Sequence, residues 1–157
     1  MPEYRQQSRQ GQRYGQAQQG QHGDSLVNKI KQQLQSFASS GLKNLPANDL
    51  ISIANEMGKH LKDLDLKTTQ IRRFLDGVRK IDVQSDKGKN FNSDLVVLLK
   101  PKLAYAAGRD QTKIMPLMQV LEPAITAGSK TYEDFKRLLA LIEGIVAYHR
   151  FHGGRDS

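Results

Sequence analysis

From residue 24 onward, apolar residues recur three and four positions apart in one segment after another. Nowhere do they alternate with the period of two that a half-buried strand requires. A chain patterned in this way hides its apolar side chains by packing helix against helix. Asp24 stands as a cap before Leu26, Ile30, Leu34 and Phe37, and that segment ends before Gly41. The second runs from Pro46 to about Leu64, with Leu50, Ile51, Ala54, Met57 and Leu61 on one side. Thr68 opens a third, about Thr69 to Asp82, whose apolar face is Ile71, Phe74, Leu75, Val78 and Ile81. Asn92 or Ser93 caps a fourth, which runs through Leu95–Leu99 toward Ala107 and stops at Gly108. Pro101 within it demands a kink or a new first turn, because its ring removes a helical hydrogen bond. A fifth covers about Thr112 to Leu121, with its end weakened by Pro123. In the last, Thr131 and Asp134 resemble a capping box ahead of Phe135, Leu138, Leu139, Ile142, Ile145 and Val146, and Gly153-Gly154 closes it. The spacing predicts an all-α fold, a compact bundle of about five to six helices.

The first 23 residues break the pattern. They hold eight Gln and four Gly but no Leu, Ile, Val or Phe, so they cannot bury enough apolar surface to offset the entropy of ordering. We expect residues 1–23 to be a disordered Gln/Gly/Arg-rich tail and residues 24–157 to form a single helical domain. That length can bury a real core without covalent staples. The absence of cysteine excludes disulfides, thiolate catalysis, iron–sulfur clusters and Cys-based zinc sites. No apolar run approaches the ~20 residues that span a bilayer. Met1–Gln21 lacks the apolar stretch of a secretory signal. The expectation is a cytoplasmic protein with no membrane partner.

The net charge is +8. In the tail three arginines stand against one glutamate, which leaves +6 on residues 24–157. A basic balance of this size points to a polyanion, most often nucleic acid. Catalytic groups are harder to find. His149 and His152 are three apart on the last predicted helix, but His149 lies in its apolar arc and reads as an interior or interface residue rather than a metal ligand. Asp63/Asp65 and Asp82/Asp86 have no partner base, and the glycines form no phosphate-cradling loop. No active site, metal or cofactor is expected. Eight of the ten aromatic residues follow residue 24. Their default role is core packing, not a base-stacking platform.

On a helical wheel Arg72, Arg73, Arg79 and Lys80 gather on one face of the third segment, opposite its apolar face and with Asp76 among them. This face fits either phosphate contact or a salt-bridged solvated surface. In the fourth segment Lys102 and Arg109 are seven apart, on one ridge about 10 Å long if the helix continues. Thr68-Thr69-Gln70-Ile71-Arg72-Arg73 also resembles the start of a helix-turn-helix recognition helix, which would place Gln70 and Arg73 in a DNA major groove. A helical adaptor that binds only protein is the other alternative.

Three stretches carry a family resemblance, in this order: LKTTQIRRFL at 66–75, LLKPKLAYAAGR at 98–109, and FKRL at 135–138 continuing to IVAYHRFHGG at 145–154. Together they resemble the small helical subunit of type III-A CRISPR effector complexes, the Csm interference assembly. The resemblance implies a non-catalytic RNA-binding subunit of an antiviral ribonucleoprotein. Copies of it would stack beside the repeated backbone subunit that holds the guide RNA. They would line the groove of the guide–target duplex and touch its sugar-phosphate backbone. Target RNA cleavage then belongs to the backbone subunit, and cyclic oligoadenylate synthesis and DNA cleavage to the large subunit. Arg72, Arg73, Lys100, Lys102 and Arg109 occupy the basic positions inside the family-like motifs. Arg79 joins them on wheel geometry alone. Tyr148, His149, Phe151 and His152 fit either a protein–protein contact or burial within the subunit.

Overall fold

The computed structural model describes residues 23–156. The expected tail therefore lies, but for Gly23, outside the described residues. Helix α1 occupies residues 23–35 and is already helical at Gly23, so Asp24 sits inside it rather than capping it. A 3₁₀ turn at Leu42–Asn44 leads into α2 (Ala47–Asp63) and α3 (Thr68–Gln84). A second 3₁₀ turn at Asp86–Gly88 is followed by α4 (Ser93–Val97), α5 (Leu99–Arg109), α6 (Gln111–Gly128) and α7 (Tyr132–Phe151). The described residues contain no strand, and none of their helices is long and apolar enough to cross a membrane.

The last helix organises the rest. Thr131 Oγ1 accepts from the Asp134 N–H at 3.2 Å, and Asp134 Oδ2 accepts from the Thr131 N–H at 3.1 Å. This is the expected capping box, with aspartate doing glutamate's work. Asp134 is 1% exposed, and its other oxygen accepts from the Lys43 N–H at 2.9 Å, which ties the first 3₁₀ turn to α7. Beyond the cap, Phe135, Leu138, Leu141, Ile142 and Ile145 are all buried, and α7 packs along α2, α3 and α6. Leu42, Leu45 and Leu66, which belong to no predicted helix, are buried in the same core.

Small residues set how closely α2 approaches α7. A Cβ on Gly58 would lie 2.7 Å from the His149 backbone nitrogen and 2.8 Å from Tyr148 Cβ. Gly144 faces Ala54 in the same way. Gly58→Ala is therefore expected to destabilise the protein by about 1–2 kcal/mol, the steric cost outweighing alanine's better helix propensity. Gly108→Ala, in open space on α5, should stabilise by about 0.5–1 kcal/mol. Urea midpoints of the two variants should move in opposite directions. A common sign would contradict the close α2–α7 contact.

Several sequence expectations need correction. In α2, Ile51 is 48% exposed and Ile53 is buried in its place. The two isoleucines flank the same apolar stripe, and the packing of α2 against its neighbours covers the 53 side. The fourth segment is two helices: the chain breaks at Leu98 and restarts at Leu99, which makes Pro101 the third residue of α5. Its missing N–H costs nothing in a first turn. Gly108 does not stop that helix, which ends at Arg109. The fifth segment runs through both Pro116 and Pro123 to Gly128, well past Leu121. The carbonyls deprived of a donor belong to the exposed Thr112 and Gln119, where water can serve. The same helix buries Leu117, Val120, Leu121 and Ile125, each worth about 1.5–3 kcal/mol. The four together give about 6–12 kcal/mol, enough to offset the roughly 6 kcal/mol that two interior prolines cost.

His149 is an interior residue, 0% exposed. Its Nε2 lies 2.7 Å from the Leu66 carbonyl, which can only accept, so Nε2 carries the proton. Nδ1 then accepts from the Thr68 hydroxyl at 3.1 Å. Both ring nitrogens are engaged, leaving no lone pair for a metal. Burial, with the Arg150 charge adding to it and the Leu66 bond opposing it, holds the His149 pKa below its ordinary value of 6.5. The neutral form is thus favoured in the folded state. Its contribution to stability is complete above about pH 6.5 and is lost as pH falls through the folded-state pKa. Thermal midpoints should drop between pH 7 and 5, and His149→Gln, which keeps a donor for Leu66, should flatten that drop. An unchanged profile would exclude His149 as the titrating group.

Candidate nucleic-acid interface

Helices α3 and α5 wall a groove of about 470 Å³. Arg73, Phe74, Gln70 and Gly77 line it from α3, and Leu99, Lys102, Tyr105, Ala106 and Arg109 from α5. Asp110 and Ile114 close the end at the start of α6. Because α5 runs unbroken from Leu99 to Arg109, Lys102, Tyr105 and Arg109 share the ridge that helical spacing predicts for residues three and seven apart. Arg73 reaches the same space from α3 because the buried Ile71, Leu75 and Val78 anchor the other side of that helix.

Three of the six sequence-predicted residues therefore converge: Arg73, Lys102 and Arg109. Asp110 is the one acid among the lining residues. Among the described residues no carboxylate forms an ion pair with any of the three cations. The other three lie elsewhere. Arg72 is exposed on α3 outside the groove lining. Arg79 turns toward α7, its Nε 3.5 Å from Glu143 Oε1, with Asp76 at 4.0 Å. Lys100 is half-buried against α6, its Nζ donating to Thr126 Oγ1 at 2.6 Å. Only Pro101 separates Lys100 from Lys102 in sequence, yet the two lysines serve different sides of α5.

Tyr105 is the residue that sequence reasoning missed. It is 71% exposed, not packed in the core, and the Arg109 guanidinium stands 5.9 Å from its ring centroid. Phe151 is 77% exposed, so of its two expected roles burial within the subunit does not hold. For Tyr105 the signal was present, since it sits three residues after Lys102 and four before Arg109 on the polar ridge.

The candidate acids have structural partners. Asp65 accepts from Lys67 Nζ at 2.9 Å, a bond that, with the Lys113 charge, holds its carboxyl below the usual range. Asp82 accepts from the Tyr132 hydroxyl at 2.9 Å and so pushes that phenol's pKa up. The first turn of α3 is similarly committed. Thr68 bonds His149, Thr69 donates to the Asp156 carbonyl at 3.0 Å, and Gln70 Oε1 accepts from the Lys67 N–H at 3.1 Å. A recognition helix needs those side chains free for base edges, so nothing in this geometry favours the helix-turn-helix alternative.

Fold and surface together define a small, basic, all-α protein whose distinguishing feature is a cationic groove between two helices. The sequence profile of the family described as Csm2 Type III-A matches residues 44–155, which takes in α2 through α7. The chain belongs to that family and is a small subunit of the type III-A CRISPR (Csm) complex. No curated protein matches it.

Proposed function

We propose that this subunit binds RNA without cutting it, as a cytoplasmic component of an antiviral ribonucleoprotein. Residues 24–157 act as one helical domain, set in the complex beside the repeated backbone subunit, the large subunit and further copies of itself. Its groove contacts the sugar-phosphate backbone of the guide–target RNA duplex through Arg73, Lys102 and Arg109, with the exposed Arg72 of α3 free to add a contact outside the groove. The convergence of three cations from two helices, without a carboxylate partner among the described residues, carries the reading. Backbone contact suits a complex in which base pairing reads the sequence and the protein must accept every guide. The non-catalytic role is supported by the use of the buried histidine and the paired acids as structural groups.

The test is target-RNA retention by reconstituted complex, measured against salt concentration, with Lys102 and Arg109 reversed to glutamate. A salt slope equal to that of the unaltered complex, with the subunit folded and incorporated, would overturn the assignment.

A further inference from the structure

A groove that gripped only phosphates would need cations and hydrogen-bond donors. This one also has an aromatic lining. Tyr105 stands largely in solvent on the α5 wall, and Phe74, half-buried, lies on the α3 wall facing the same space. A sugar-phosphate backbone gains little from such rings, whereas the face of an unstacked nucleobase gains a great deal. The Arg109 guanidinium stands 5.9 Å from the Tyr105 ring centroid, so cation and ring share one stretch of the α5 wall.

We propose that the groove seats an unpaired nucleotide of an RNA strand, its base against Tyr105 and its flanking phosphates on Arg73, Lys102 and Arg109. This rests on the RNA-binding reading and refines its ligand from a duplex backbone to a strand with a base turned out. The groove's volume of about 470 Å³ falls in the range of pockets that enclose small molecules. At the end of the groove Asp110 supplies an acceptor for a base edge. Stacking is sequence-tolerant because every base has a π-face, so such a seat is compatible with any guide.

The experiment uses reconstituted complex in which 5-iodouridine replaces one nucleotide at a time in the target or the guide. Irradiation is followed by identification of the crosslinked peptide. At least one position should crosslink to Tyr105. Tyr105→Ala should abolish that crosslink and weaken target retention about fivefold or more, whereas Tyr105→Phe retains both. Neither variant should alter the salt slope, since stacking displaces no counterions. If no position crosslinks to Tyr105 and Tyr105→Ala retains target normally, the base seat is overturned. It is also overturned if Tyr105→Ala instead releases the subunit from the complex, which would make the tyrosine a protein contact. Lys102→Glu/Arg109→Glu in the same assay separates the two readings. If that pair still weakens retention, backbone contact stands and the base seat alone falls. If it does not, the RNA-binding reading falls with it.

Discussion

Complexes assembled with Lys102→Glu/Arg109→Glu subunits are expected to lose target RNA to a similar extent whatever the guide sequence, and to show a flatter dependence on salt. Each neutralised phosphate releases condensed counterions and contributes roughly 0.7–0.9 to the slope of log affinity against log salt. Removing two such contacts flattens the slope by about 1.4–1.8 for each copy that engages the duplex. Between 50 and 200 mM salt that amounts to roughly a tenfold smaller fall in affinity per copy. Reversal adds repulsion, so binding at low salt should suffer most. Uniformity across guides is the discriminating feature, because a phosphate contact carries no base information. Lys100→Glu is the internal control. Its Nζ is held by Thr126 on the α6 side, outside the groove, so it should leave the slope near that of the unaltered complex. If Lys100→Glu flattens the slope as much as the groove pair does, the groove has no special role.

The largest stability effect is expected from Phe135→Ala. The ring is 0% exposed on the first turns of α7, with ring centroids of Phe91 at 6.0 Å and Tyr132 at 6.4 Å. Deleting a buried phenyl ring removes its transfer energy and leaves a cavity that neighbours fill only in part, about 3–5 kcal/mol in all. For a domain of this size that lowers the thermal midpoint by roughly 6–20 °C. It is also a large share of the 5–15 kcal/mol that holds a typical domain folded. Because α7 seats α2, α3 and α6 together, loss of the groove should follow unfolding and not precede it. Phe151→Ala, in solvent on the same helix, should stay within about 0.5 kcal/mol. A cost below 1 kcal/mol for Phe135→Ala would contradict an α7-centred core.

How far the sequence could be read depended on how local each signal was. Thr131 and Asp134 are three residues apart and satisfy each other's backbone groups, so the start of α7 was legible at once. The apolar face of α3 was legible because its five residues lie within one helix. Leu42, Leu45 and Leu66 escaped notice because no helical period marks a residue buried from a turn. The passage of α6 through two prolines was also hidden. Each proline has a local cost, and only the burial of Leu117, Val120 and Leu121 against other helices outweighs it. Within the candidate site, Lys102 and Arg109 could be paired from their spacing alone, but Arg73 joined them only across helices. The default role of aromatic residues puts Tyr105 in the core, although its place between two cations on one ridge argues for the surface.

What the sequence by itself determined was the helical class, the cap of α7, the apolar stripe of α3 and the family motifs. These follow from hydrogen bonds and side-chain periodicities that span one or two turns. The tertiary structure decided which flank of each stripe is buried, so that Ile53 lies inside and Ile51 outside. It also decided which cations meet. Lys100 and Lys102 differ by two positions, about 200° around a helix, and only the packing of α5 on α6 sends the first to Thr126 and leaves the second to α3. Charge is a property of residues, but a groove is a property of two helices, and their relative placement is set by core packing that no single segment encodes.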